Sequence, residues 1–176
     1  MVVFIVSCEI LFWVFLLSGL FARYVLKRQR LGMLLLALSP VVDAVLLAVT
    51  AVDLRSGGEA TLAHALAAIY LGVSLVYGKR LVSWVDVRFA HRFGNGPKPE
   101  KRPRTGAAHA AVERADWLRH LGAFVIGCGI MTALAVFSGS EQAREVFIRV
   151  AGTWGLILAI DCAISFSYTL FPRKEK

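Results

Sequence analysis

The stretch LSPVVDAVLLAVTAVDL, residues 38–54, reads as the middle and end of an apolar helix, yet it carries Pro40 and the carboxylate of Asp43. An ionised acid near a bilayer centre costs about 3 kcal/mol even on the lenient insertion scale. If this stretch crosses a membrane, Asp43 needs a partner, a hydrated cavity or a proton. The flanking sequence supports the membrane reading. A hydrocarbon core of about 30 Å takes about 20 helical residues. The apolar run around Asp43 covers 31–52, and runs of similar length occupy 2–22, 60–80, 117–138 and 146–171. The composition agrees: 57% of the 176 residues are hydrophobic and 18% charged, with a mean hydropathy of +0.65. Soluble domains are less apolar and more charged. The expected fold class is all-α, a single polytopic membrane domain of five transmembrane helices.

The basic residues orient those spans. Between spans one and two lie Arg23, Lys27, Arg28 and Arg30. Between three and four lie Lys79, Arg80, Arg88, Arg92, Lys98, Lys101, Arg102, Arg104, Arg114 and Arg119, and the tail adds Arg173, Lys174 and Lys176. Only Arg55, Arg144 and Arg149 fall elsewhere, so seventeen of the twenty cations share one face. Cytoplasmic loops retain Lys and Arg, which puts the amino end outside and the carboxyl end inside. This asymmetry also accounts for the net charge of +8 without nucleic-acid binding. The opening MVVFIVSCEI has neither the basic start nor the small-residue cleavage site of a signal peptide.

The connections are short except one. LRSGGEA is a tight turn, with Gly57 and Gly58 supplying positive φ. SGSEQARE is similar, and a fifth helix can start at Glu141. The long connection, 81–116, centres on the Gly-, Pro- and cation-rich GNGPKPEKRPRTG, a linker. Before it, Val82, Val85, Phe89 and Phe93 form one helical stripe, and Ser83, Arg88 and His91 lie away from it. This predicts an amphipathic continuation of the third helix that bends onto the inner leaflet. Trp84, Arg88, Phe89, Arg92 and Trp117 then mark the inner-leaflet interface, where anionic lipid headgroups are the expected partners.

Helix association in lipid relies on small residues that let backbones approach. Span three has Ala60, His64, Ala68 and Gly72 at four-residue steps, span five Gly155, Ala159 and Ala163, and span four Ala123, Gly127 and Gly129. Cys8, Cys128 and Cys162 show no pairing spacing and read as small buried hydrophobes.

The ionisable groups inside the spans are Glu9, Asp43, His64 and Asp161, spread in depth as a candidate proton or ion pathway. Ser39 and Thr50 share the Asp43 face. Pro40 leaves the carbonyl of Leu36 without its helix partner and predicts a kink. His64 lies on the small-residue face and so points at protein, within reach of a proton exchange with Glu9 or Asp53. In span five, Trp154, Asp161, Ser165 and Tyr168 share a stripe. The same groups can instead hydrogen-bond one another and set helix register, at about 1 kcal/mol per contact. Asp53 and Glu59, at a helix end, read as surface charges. Metalloprotease, hydrolase, phosphate-loop and zinc signatures are missing, and neither a cofactor nor a metal is expected.

CEILFWVFLLSGLFARY, PVVDAVLLAVTAVDLRSGGEATLAHALAAIYLG and WVDVRFAHRF together resemble a family of small multi-pass bacterial membrane proteins with no known activity. The likeness covers roughly the first half of the chain. It implies the bacterial inner membrane and carries over no functional residue. Two functions fit these readings, and a third, an intramembrane enzyme acting on lipid, has no motif to support it. One is a small oligomeric, proton-coupled transporter or channel-like protein for a solute or cation, using Asp43, Glu9, His64 and Asp161. The other is a non-catalytic accessory or scaffold subunit of a larger membrane complex.

Overall fold

The computed structural model describes residues 2–93, 96–100 and 102–171. Within these, the side chains of residues 2, 4, 5, 8, 9, 37, 39, 40, 43, 44, 47, 63 and 93 lie outside the described part. The described chain is all-helical: α1 (Val2–Tyr24), α2 (Gln29–Arg55), α3 (Leu62–Phe93), α4 (Gly106–Ser138) and α5 (Glu141–Leu170). Among the described residues, three helical stretches are long and apolar enough to cross a membrane: His64–Arg92, Gly106–Ser138 and Glu141–Leu170. Ile10–Tyr24 is a shorter apolar helix.

Turn chemistry ends α2 and α4 where their apolar runs stop. Gly57 adopts φ +89° in the α2–α3 turn. Gly139 takes φ +64° after α4 and returns its N–H to the Ala135 carbonyl, a left-handed cap. Ser140 then caps α5 by accepting from the Ala143 N–H, so the fifth helix does begin at Glu141.

Successive helices run antiparallel. One end of the bundle holds the α2–α3 and α4–α5 turns, where the Arg55 guanidinium lies 4.8 Å from the Phe137 ring centre. The opposite end holds the α1–α2 turn and the long linker. There Arg114 donates to the Thr169 hydroxyl at 2.7 Å. We call these the two-turn end and the linker end. α1 lies chiefly along α2, and α4 lies between α3 and α5.

Small residues set the closest approaches. A Cβ on Gly72 would sit 2.6 Å from the Ala123 carbonyl oxygen and 2.9 Å from the Gly127 nitrogen, so α3 and α4 touch backbone to backbone. Gly127 also receives Trp154 of α5, whose ring would lie 2.5 Å from an added Cβ. α1 and α2 cross at Gly19 and Gly32, a pair the sequence reading passed over. In span five, Ala159 and Ala163 are exposed, and within the chain α5 packs through Trp154, Leu158 and Ser165. The bulky side wins because the indole fills the space that Gly127 leaves open. In α4, Gly129 faces open space.

The helix that carries span three continues unbroken to Phe93, and α4 starts well before span four. The Val82, Val85 and Phe89 stripe is half-buried, and Ser83, Arg88 and His91 are exposed. Part of this stripe's cover comes from α1: the Tyr24 and Phe89 rings stand 6.4 Å apart.

Candidate functional site

Two histidine–carboxylate pairs tie helices together. The first lies at the two-turn end. His64, on the first turn of α3 and 1% exposed, places Nε2 3.1 Å from Asp53 Oδ2 on the last turn of α2. Its Nδ1 is met by the Thr61 backbone N–H at 3.1 Å and the Thr61 hydroxyl at 2.9 Å. A backbone N–H only donates, so Nδ1 accepts. The imidazole is then the neutral Nε2–H tautomer, and its proton points at Asp53. This arrangement also satisfies a backbone donor just ahead of the helix, as a capping box does.

Asp53 is held from its other side by the turn. Gly58 donates its N–H to the Asp53 carbonyl at 3.0 Å, and Ser56 donates its hydroxyl to the same oxygen at 2.9 Å. A Cβ on Gly58 would fall 2.7 Å from the Asp53 carboxylate. Asp53 is thus a partly exposed charge with a partner, since His64 reaches it from α3. Glu59 is exposed.

The second pair joins α4 and α5 nearer the linker end. His120 Nδ1 lies 2.8 Å from Asp161 Oδ2, and the Trp154 indole N–H donates to His120 Nε2 at 3.0 Å. Indole nitrogen only donates, so Nε2 accepts and the ring carries its proton on Nδ1, towards Asp161. The two histidines thus hold opposite tautomers, each set by a donor that cannot reverse. The Trp154, Asp161, Ser165 and Tyr168 stripe does face the bundle. The sequence alone did not pair His120 with Asp161.

At the linker end, charge gathers around two acids outside the apolar runs. Asp116 of α4 binds Arg80 of α3, Arg119 at 2.6 Å and Arg102 of the linker at 3.0 Å. Partial burial pushes its carboxyl up. The Arg80 hydrogen bond and the charges of Arg102, Arg80 and Arg119 outweigh that and hold it below the usual carboxylate value. Asp86 of α3 accepts from the Tyr24 hydroxyl and lies 3.4 Å from Arg23 of α1. Burial, then the hydrogen bond to Asp86, push Tyr24 up to about 12.

Of the sequence-stated pathway, His64 and Asp161 belong to different pairs. Set against each other along α3, these lie roughly 18 Å apart, from the rise per helical residue. The side chains of Glu9 and Asp43 lie outside the described residues, as does that of Pro40, across which α2 remains one helix. Thr50 is fully buried, and its hydroxyl has no partner among the described residues. Of the interface residues, Trp84 is exposed with the Arg88 guanidinium 3.6 Å above its ring, and Arg92 is exposed. Trp117 is half-buried and donates to the Leu158 carbonyl at 3.3 Å. A cavity of about 500 Å³ between α4 and α5 is lined by Met131, Ala135, Phe147 and Ile148, with Glu141 and Arg144 in its wall. Neither histidine pair borders it. Among the described residues there is no cluster of three or more metal-ligating side chains.

No family model matches the chain, and no solved structure matches it. Over 173 residues it is 44% identical to the uncharacterized membrane protein YmcC of Bacillus subtilis (strain 168), covering 98% of this chain and 92% of that one.

Proposed function

The chain belongs to the family of that Bacillus subtilis protein and is a multi-pass membrane protein, and from this premise we propose that it is a five-span accessory subunit of a membrane assembly. In this reading α1 and α2 cross the bilayer together with α3, α4 and α5. The amino end lies outside and the linker end in the cytoplasm, a reading supported by the Lys and Arg asymmetry.

One observation carries the accessory role. Both ring nitrogens of His64 and of His120 are engaged by groups of this same chain. Acids and imidazoles so engaged fix helix register, the best-attested use of buried polar groups. The exposed Ala159 and Ala163 on α5 supply a small-residue face on which a neighbouring helix, of a second copy or of another subunit, can approach closely. Proton-coupled transport through Glu9, Asp43, His64 and Asp161 remains the second reading. One feature favours it: Asp161 is 39% exposed within an apolar helix.

Single cysteines at position 159 or 129, in a background without Cys8, Cys128 and Cys162, separate the two. The subunit reading expects Ala159→Cys to cross-link to a second polypeptide in intact membranes, and proteoliposomes of the purified protein to show no pH-driven flux. A flux that disappears in Asp161→Asn, with no cross-link at 159, would instead establish transport.

A further inference from the structure

α3 carries an apolar trough whose end is strongly cationic. Val73, Tyr77, Leu81 and Trp84 recur at helical spacing along one stripe and, with Arg80, line an open groove of about 380 Å³. Val73, Leu81 and Trp84 are exposed. From Val73 to Trp84 the groove follows the helix for about 16 Å, from the rise per residue.

Arg80 sits in this groove and also in the Asp116 cluster. There it meets Arg102 and Arg119, so three guanidinium groups share one carboxylate and two positive charges are left unbalanced. Tyr77 ties groove and cluster together by donating its hydroxyl to the Asp116 carbonyl at 3.2 Å. Arg88, stacked over Trp84, adds a further cation at the same end. Asp86 of the same helix is already held by Tyr24 and Arg23, and Asp161, which also acts on Tyr77, is held by His120.

An apolar trough ending in surplus guanidinium groups is complementary to an amphiphile with one long chain and an anionic head. We propose that this groove binds an anionic phospholipid. Its acyl chain lies along Val73, Tyr77 and Leu81, and its phosphate meets Arg80, Arg119 and Arg102. The proposal deepens the membrane-subunit reading and rests on it only in placing the lipid in the cytoplasmic leaflet. A zwitterionic lipid brings its own ammonium to a site that already has cations in excess, so charge selects against it.

The full-length protein in detergent is titrated with phosphatidylglycerol, phosphatidylcholine or inorganic phosphate. Bound lipid is counted by native mass spectrometry. Wild type should retain phosphatidylglycerol in preference to phosphatidylcholine, and phosphate at equal concentration should not displace it. Arg80→Gln with Arg119→Gln should weaken phosphatidylglycerol binding roughly thirtyfold, at about fivefold per cation removed. Asp116→Asn keeps all three guanidinium groups and should bind as well as wild type or better. A purely structural Arg–Asp cluster would instead suffer equally from all these changes. Equal retention of the two lipids, an unaffected double variant, or full displacement by phosphate would each overturn the site. Lipid preference does not depend on which leaflet is involved. Labelling of the linker from outside the cell would therefore overturn the leaflet and topology while leaving the site itself standing.

Discussion

The two ends of the bundle solve one problem differently. At the two-turn end a buried imidazole meets a partly exposed carboxylate beside a glycine turn: His64 is 1% exposed, Asp53 31%, and a backbone N–H sets the tautomer of His64. Towards the linker end the corresponding imidazole, His120, is 22% exposed and oriented by an indole. Around it gather exposed and half-buried cations on Asp116 and Asp86. The first end is held by enclosure, where an unpaired group is costly. The second is held by partly exposed charges, where each pair contributes little. The same residue types therefore serve as a rigid clasp at one end and a responsive surface at the other.

The largest expected effect tests that contrast. His64→Ala strips the Thr61 N–H and Asp53 of their partner and leaves a cavity, and should cost about 3 kcal/mol in detergent unfolding. His120→Ala should cost about 1 kcal/mol. Equal losses would mean that enclosure does not separate the ends. Gly127→Val drives a side chain into Trp154 and should cost about 2 kcal/mol, whereas Gly129→Ala should leave the melting temperature unchanged. Trp154→Phe keeps most of the packing but removes the donor to His120, at about 1 kcal/mol, and should free that ring to change tautomer.

The smallest effect is a pH response at the linker end. Tyr24 is raised in the folded protein, so its bond to Asp86 is fully present below the ordinary tyrosine value of 10.0 and is lost as pH rises through about 12. Ultraviolet titration should show a phenolate appearing late, and Asp86→Asn should bring it earlier. Ionisation near 10 in the wild type would place Tyr24 away from Asp86.

The helices were legible because each apolar run is long and bounded by Gly, Pro or cations, which is a local signal. That His64 faces protein was legible too, since it shares a stripe with Ala68 and Gly72. The pairing of Asp161 with His120 was not, because it depends on how α4 and α5 rotate about their axes across 41 residues of sequence. Asp53 was hidden for a different reason: a helix-terminal acid is normally solvated, and only the turn that brings Gly58 and His64 against it gives it partners. The stripe on α5 left its partner open, because small residues mark a possible close approach without saying which side a bulky neighbour such as Trp154 will claim.

The central claim is that the bundle's imidazoles are locked as neutral, oppositely protonated ties between helices. Nitrogen-15 NMR of histidine-labelled protein in lipid nanodiscs at neutral pH tests it most directly. The account predicts one ring protonated at Nε2 that becomes assignable by its loss in His64→Ala, and one protonated at Nδ1 that is lost in His120→Ala. Averaged ring signals from a proton exchanging between both nitrogens, or a doubly protonated ring at either position, would contradict it.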